Sequence, residues 1–243
     1  MSLPIINETT SFVQKELLSG KKIGLKQWRT KEERELLFAT EGIQDTEDGK
    51  REIIKFIKKC VDDPNKFDSL SNTDYINCLI ELRKISKGAL IEYKLHCSKD
   101  KFELFDSINL TTDVKSKKFD SSPIQVSQDL SFSIKEVPYI VYDALLKKYE
   151  KTSEFNFYYM INSIDSIAHK GEVYDKFTEE ELIDFIDDLP ALQNDDSKSF
   201  LDILTDGIDK AQAEIYLEKT LICGKCGTEN PVRFGDLYHF LAF

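Results

Sequence analysis

The chain has 243 residues, of which 41% are apolar, with five cysteines, few glycines and prolines, and a formal net charge of -11. That is enough apolar material for one large core or two modest ones, with no repeat period or low-complexity tract. The acidic balance excludes nucleic acid as the main partner, because phosphate recognition needs a cationic face, and no stretch approaches the roughly 18 apolar residues of a membrane span. Met1 to Glu8 lacks the basic start and apolar run of a signal peptide, so synthesis in a cytoplasm is expected. In that compartment an odd number of cysteines points to buried thiols or a metal rather than disulfides.

Charge is unevenly spread. Thr178 to Asp209 holds 11 acidic residues against one lysine, whereas Lys15 to Lys31 holds six basic residues against one glutamate. The acidic run reads as a solvated helix face. In chain order, Phe12 to Leu17 and Ile23 to Trp28 read as an opening hairpin around Ser19-Gly20-Lys21. Thr30 and Glu33 have capping-box spacing, Leu36, Leu37 and Phe38 supply a buried stripe, and Gly42 stands where a left-handed cap is wanted. A second helix from about Gly49 to Val61 buries Ile53, Ile57, Cys60 and Val61 before Pro64 ends it, and a third runs from about Asn72 to Ser86, stopped by Gly88. Cys60 and Cys78 read as core thiols.

Leu110 to Ser122 is polar and lysine-rich and marks a domain boundary or exposed loop. Strands follow at Ile124 to Val126 and Leu130 to Ile134, then a helix opened by Pro138 and running to Tyr149. Phe155 to Ala168 has helical period, Glu172 to Phe177 reads as a short strand, and Thr178 with Glu181 caps a helix through Asp188 before Pro190. An acidic helix around Ser199 to Thr205 leads to a strand at Glu214 to Glu218, and Gly235 to Phe243 closes the chain with Tyr238, Phe240 and Phe243 needing burial. The fold class is α+β: helix-rich, with short antiparallel hairpins that include two resembling zinc knuckles. Residues 1–112 are expected to pack with 211–243, and residues 113–210 to form a hairpin plus a helical segment with an acidic face.

The two knuckle-like turns carry the chemistry. Cys223-Gly224-Lys225-Cys226-Gly227 lets the backbone curl so that two thiolates face one point, half of a tetrahedral site. Cys97-Ser98-Lys99-Asp100 copies its spacing, with an aspartate where a cysteine would complete the set. The candidate ligands are Cys97, Cys223, Cys226 and Asp100, with His96 as the alternative to Asp100; a zinc there would be structural and substoichiometric. In the competing reading the hairpins pack against each other with no ion. No G-x-S-x-G, H-E-x-x-H, H-x-E with P-C-x-x-C, or glycine-rich nucleotide turn occurs, so no enzyme is expected.

Taken in order, Leu18-Ser19-Gly20-Lys21-Lys22-Ile23, Trp28, Lys31-Glu32-Glu33, Leu36-Leu37, a helix ending in Cys60, Leu82-Arg83 before Gly88, and Cys223-x-x-Cys226 near a phenylalanine-containing terminus resemble the baseplate hub protein family of T-even-like contractile-tailed bacteriophages. Asp100 departs from that pattern, which commonly has a second cysteine. The resemblance implies a structural component of the tail baseplate, in or near the central hub, made in the host cytoplasm and carried in the virion. Its partners would be other hub, spike or tape-measure proteins, in multiple copies, with neither nucleic acid nor membrane. The alternative it implies is a non-enzymatic assembly chaperone for a hub or tape-measure protein, absent from the mature virion.

Overall fold

The computed structural model describes residues 11–41, 46–150, 152–189, 199–235 and 240. Helices and short sheets are mixed, in an α+β arrangement. The strands are β1 (Val13–Glu16), β2 (Lys22–Leu25), β3 (Leu90–His96), β4 (Glu103–Asn109), β5 (Lys115–Lys117), β6 (Ile124–Ser127), β7 (Leu130–Ile134), β8 (Ile164–His169), β9 (Glu172–Tyr174), β10 (Glu214–Ile222) and β11 (Glu229–Phe234). The helices are α1 (Thr30–Thr40), α2 (Glu47–Lys59), α3 (Pro64–Asp68), α4 (Asn72–Lys87), α5 (Tyr139–Tyr149), α6 (Ser153–Ser163), α7 (Glu179–Asp187) and α8 (Phe200–Ala211). None of the described helices is long and apolar enough to cross a membrane. The chain divides into two compact units, Met1–Ser116 with Glu214–Phe243, and Lys117–Ala213.

In the first unit, β1 and β2 form the opening hairpin, with Gly20 at φ 83 supplying the left-handed turn residue. The start of α4 holds that turn. Leu18 N–H donates to Asn77 Oδ1 at 2.9 Å and Ser19 Oγ donates to Asp74 Oδ2 at 2.7 Å, which satisfies an aspartate that is 1% exposed. A Cβ on Gly24 would lie 2.4 Å from an Asp62 carboxylate oxygen that accepts from Gln14 Nε2 at 3.0 Å, so a side chain there would displace that carboxylate. Ile53, Ile57, Cys60, Phe67, Leu70, Tyr75, Cys78, Leu79 and Leu82 are buried from α2, α3, α4 and the connections between them. Each such aliphatic or aromatic side chain contributes roughly 1.5–3 kcal/mol through burial.

Three local expectations are corrected here. The cap of α1 is Arg29, which is extended at φ -101 and ψ 162 and whose N–H donates to Glu32 Oε2 at 2.6 Å; Thr30 is already helical, and Glu33 pairs instead with Lys87. Only Leu36 of the expected stripe is buried, and Leu37 and Phe38 are exposed, because successive helical residues turn by about 100° and cannot share one face. Pro64 opens α3 rather than closing α2: α2 ends at Lys59, and Asp63 caps the N–H groups of Asn65 and Lys66 with Pro64 in the first turn. Gly42 lies outside the described residues.

The second unit is built on a four-stranded antiparallel sheet in the order β6-β7-β8-β9. Phe132, Ile134, Ile164 and Ile167 from the sheet meet Ile161 of α6, Leu182 and Ile186 of α7, and Phe200, Leu204, Ile208 and Ala211 of α8 in one core. The spacing of four, four and three along α8 puts its apolar residues on one face, while the acidic residues of α7 point to solvent. Gly207 sits against Ile124, whose Cδ1 would be 2.6 Å from an added Cβ. The Thr178 and Glu181 capping box is present at the start of α7. The helical expectation for residues 155–168 is corrected. The helix stops at Ser163, and Ile164 to His169 pairs between β7 and β9 as an inner strand, because Ile164 and Ile167 reach the sheet core. Pro190 lies outside the described residues.

Candidate metal centre

Two hairpins of the first unit end in turns of one geometry. In the first, Cys97 N–H donates to Phe102 O at 2.8 Å and Lys101 N–H to Cys97 O at 3.0 Å. In the second, Cys223 N–H donates to Thr228 O at 2.9 Å and Gly227 N–H to Cys223 O at 2.8 Å, at the same sequence offsets. The fifth residue of each turn is left-handed, Lys101 at φ 59 and Gly227 at φ 71. This curl lifts the first and fourth side chains of each turn to the same side.

The turns bring Cys97, Asp100, Cys223 and Cys226 together, with one ligand-type atom from each lying within 4.8 Å of all the others. Cys97 Sγ is 3.6 Å from Cys226 Sγ, and Cys223 Sγ is 3.7 Å from Asp100 Oδ1. A tetrahedron with zinc–sulfur bonds near 2.3 Å has sulfur–sulfur edges of about 3.8 Å, and its sulfur–oxygen edges are about 3.5 Å. Both observed separations fall on such edges without further movement. Cys97 and Cys223 are buried, and Cys226 and Asp100 half-buried. Leu104 and the partly buried Leu95 and Leu221 pack around the thiols.

The electrostatics are graded across the four groups. Desolvation pushes the Cys223 thiol up, against the opposing backbone N–H groups of Cys226 and Lys225, while the Thr228 hydroxyl, 3.2 Å from the sulfur, and the Thr228 backbone hold Cys226 down. The N–H of Phe102, 3.0 Å from Oδ1, is the largest of the influences holding the Asp100 carboxyl below its usual range, and Lys225 adds to it. The surroundings thus favour the anionic form at Asp100 and Cys226 and oppose it at Cys223.

Asn230 joins the hairpins and carries no obvious signal in the sequence. It is buried in β11, its Oδ1 accepts from Ser98 N–H at 2.8 Å and Ser98 Oγ at 3.0 Å, and its Nδ2 donates to Thr228 O at 2.9 Å. A polar residue at an inward position of an alternating strand was the available clue. His96 is exposed and stands outside the group, since neighbouring strand residues face opposite ways. Cys60 and Cys78 are separate from the group. Burial pushes Cys60 up to about 11 and Cys78 further, so both are inert core thiols. Of the terminal aromatics expected to need burial, Phe240 is buried, and Tyr238 and Phe243 lie outside the described residues.

A family model described as "T4 bacteriophage base plate protein" matches residues 9–242, nearly the whole chain. No curated protein and no solved structure shows a significant match. A match of that extent takes in both units and both turns of the cysteine cluster, and the chain belongs to the T4 bacteriophage base plate protein family.

Proposed function

We propose that this chain is a non-enzymatic, structural component of the central hub of a contractile-tail baseplate, acting by protein–protein binding during tail assembly and remaining in the virion. The observation that carries the reading is the family match over residues 9–242. The surface supports it. In the first unit, Phe38, Phe105 and Ile222 are about two-thirds or more exposed, and in the second Val173 on the edge strand β9 is 68% exposed. Large apolar groups left in water favour burial against a neighbour. The partners in this reading are other hub, spike or tape-measure proteins, in several copies, and the cysteine and aspartate cluster has no catalytic part.

Mass spectrometry of purified infectious particles beside purified assembly intermediates tests this directly. The protein should be present in both, cross-linked to hub proteins through residues near Phe105 or Ile222. Its presence in intermediates alone would replace the reading with that of an assembly chaperone, and cross-links confined to peripheral baseplate proteins would remove it from the hub.

A further inference from the structure

We infer that Cys97, Asp100, Cys223 and Cys226 bind one zinc ion, that Asn230 positions the first pair of ligands from behind, and that the ion clips together two hairpins 126 residues apart in the chain. The donor set selects the metal class. Three thiolates and one carboxylate suit a borderline ion such as zinc, not magnesium or calcium, which take oxygen ligands. The four donors also lie too close together for an iron–sulfur cluster, whose terminal ligands sit on separate irons. One mononuclear ion fits the space.

The surroundings are those of a built site. The backbone N–H groups of Lys225 and Cys226 are directed to the Cys223 sulfur, and that of Thr228 to the Cys226 sulfur, where they offset thiolate charge. Asn230 fixes Ser98, the residue after Cys97, by two hydrogen bonds from across the cluster. Metal ligands are commonly held by such outer partners, and their loss typically costs about 10–100-fold in affinity. On binding, the three thiols release three protons to solvent, Asp100 enters as the carboxylate, and the centre carries a net charge of two negative units with Lys225 beside it.

The position of the ion gives it a role. Residues 117–213 form the other unit, so the hairpin whose turn bears Cys223 and Cys226 returns to the first unit after a long excursion. Closing a loop of that length is entropically costly, and a metal shared by both ends stabilises the closed state. Asp100, half-buried and the single oxygen donor, is the weak corner of the centre and sets how easily the clip opens.

The test uses the full chain, reduced and freed of metal by a chelator, titrated with zinc and then with cobalt. One zinc equivalent at saturation, and a cobalt spectrum with intense tetrahedral bands and thiolate charge transfer, are expected. Asp100→Cys should tighten zinc binding at least tenfold and Asp100→Ala weaken it by about 10-fold or more, with Asn230→Ala weakening it by about 10–100-fold. Asp100 is half-buried, so its variants report even if cysteine variants fail to fold. Uptake below a tenth of an equivalent by protein with verified free thiols, an octahedral cobalt spectrum, or identical affinity in both Asp100 variants would overturn the proposal.

Discussion

The two turns that meet at the cluster share a backbone and differ in their chemistry. Residues 97–102 and 223–228 carry matching hydrogen bonds, yet one reads Cys-Ser-Lys-Asp-Lys and the other Cys-Gly-Lys-Cys-Gly. At the fifth position Gly227 takes its left-handed conformation freely, while Lys101 takes the same one against a steric cost of about 1–2 kcal/mol. At the fourth, Asp100 accepts the N–H two residues on through oxygen, where Cys226 receives the corresponding N–H from Thr228 through sulfur. The shape of the turn is thus set by hairpin closure and the buried first cysteine. Glycine and the second thiol are refinements, and an aspartate does the local work of the thiol as an acceptor.

The strongest way to break this equivalence is to remove what ties one turn to the other. Asn230→Ala leaves the Ser98 N–H and hydroxyl without their acceptor and removes the amide donor to Thr228 O and, at 3.8 Å, to Cys97 Sγ, while all four cluster side chains stay in place. Losing partly buried hydrogen bonds costs about 0.5–1.5 kcal/mol each, so the urea midpoint should fall accordingly, with Asn230→Asp milder because an acceptor remains. Amide exchange should then rise in residues 97–102 more than in 223–228. Equal loosening of both turns, or an unchanged midpoint, would show that each hairpin stands without the bridge.

That bridge also marks where the sequence stopped being informative. Cys97, Asp100, Cys223 and Cys226 come together as their repeated spacing implies, because a two-residue gap in a hairpin end dictates a curl whatever the rest of the chain does. Asn230 shows in the sequence only as a polar residue at an inward strand position, since its role depends on which hairpin it faces, and that is a tertiary fact. Helix starts were legible where one residue alone could be extended, as at Thr178, and misread where two could, as at Arg29 and Thr30. Ile164 to Ala168 follows an aromatic helix and continues its apolar content, so composition favoured helix; pairing on both sides with β7 and β9 decided for strand. Leu37 and Phe38 look like core by composition, yet both face water, because the turn of about 100° per residue bars three successive positions from one face.

The fifth position offers a smaller effect with opposite signs in the two turns. No atom lies within 4 Å of a Cβ built on Gly227, so Gly227→Ala meets only the backbone cost and should lose about 1 kcal/mol after the entropy it removes from the unfolded chain. Lys101→Gly relieves the same strain and should gain about 0.5 kcal/mol, less than the strain itself because glycine also loosens the unfolded state. Thermal unfolding of the two variants side by side is sufficient. If Lys101→Gly destabilises, the lysine side chain is making a contribution that backbone geometry does not capture.

The smallest expected effect lies on the outer surface of the cluster. Lys225, at the tip of the second turn, places its ammonium 5.9 Å from the centre of the Phe102 ring, which ends the first turn, and it also helps hold the Asp100 carboxyl down. An exposed cation over a ring contributes about 0.5 kcal/mol, and the charge on Asp100 adds an attraction that salt screens. The two contributions separate when a double-mutant cycle of Lys225→Gln with Phe102→Leu is set beside one of Lys225→Gln with Asp100→Asn, both run at low and high salt. Coupling in the first cycle belongs to the ring contact, whereas coupling in the second that fades with salt belongs to charge acting on Asp100. Absence of coupling in both would leave the turns joined only from the inside, through Asn230 and the four clustered side chains.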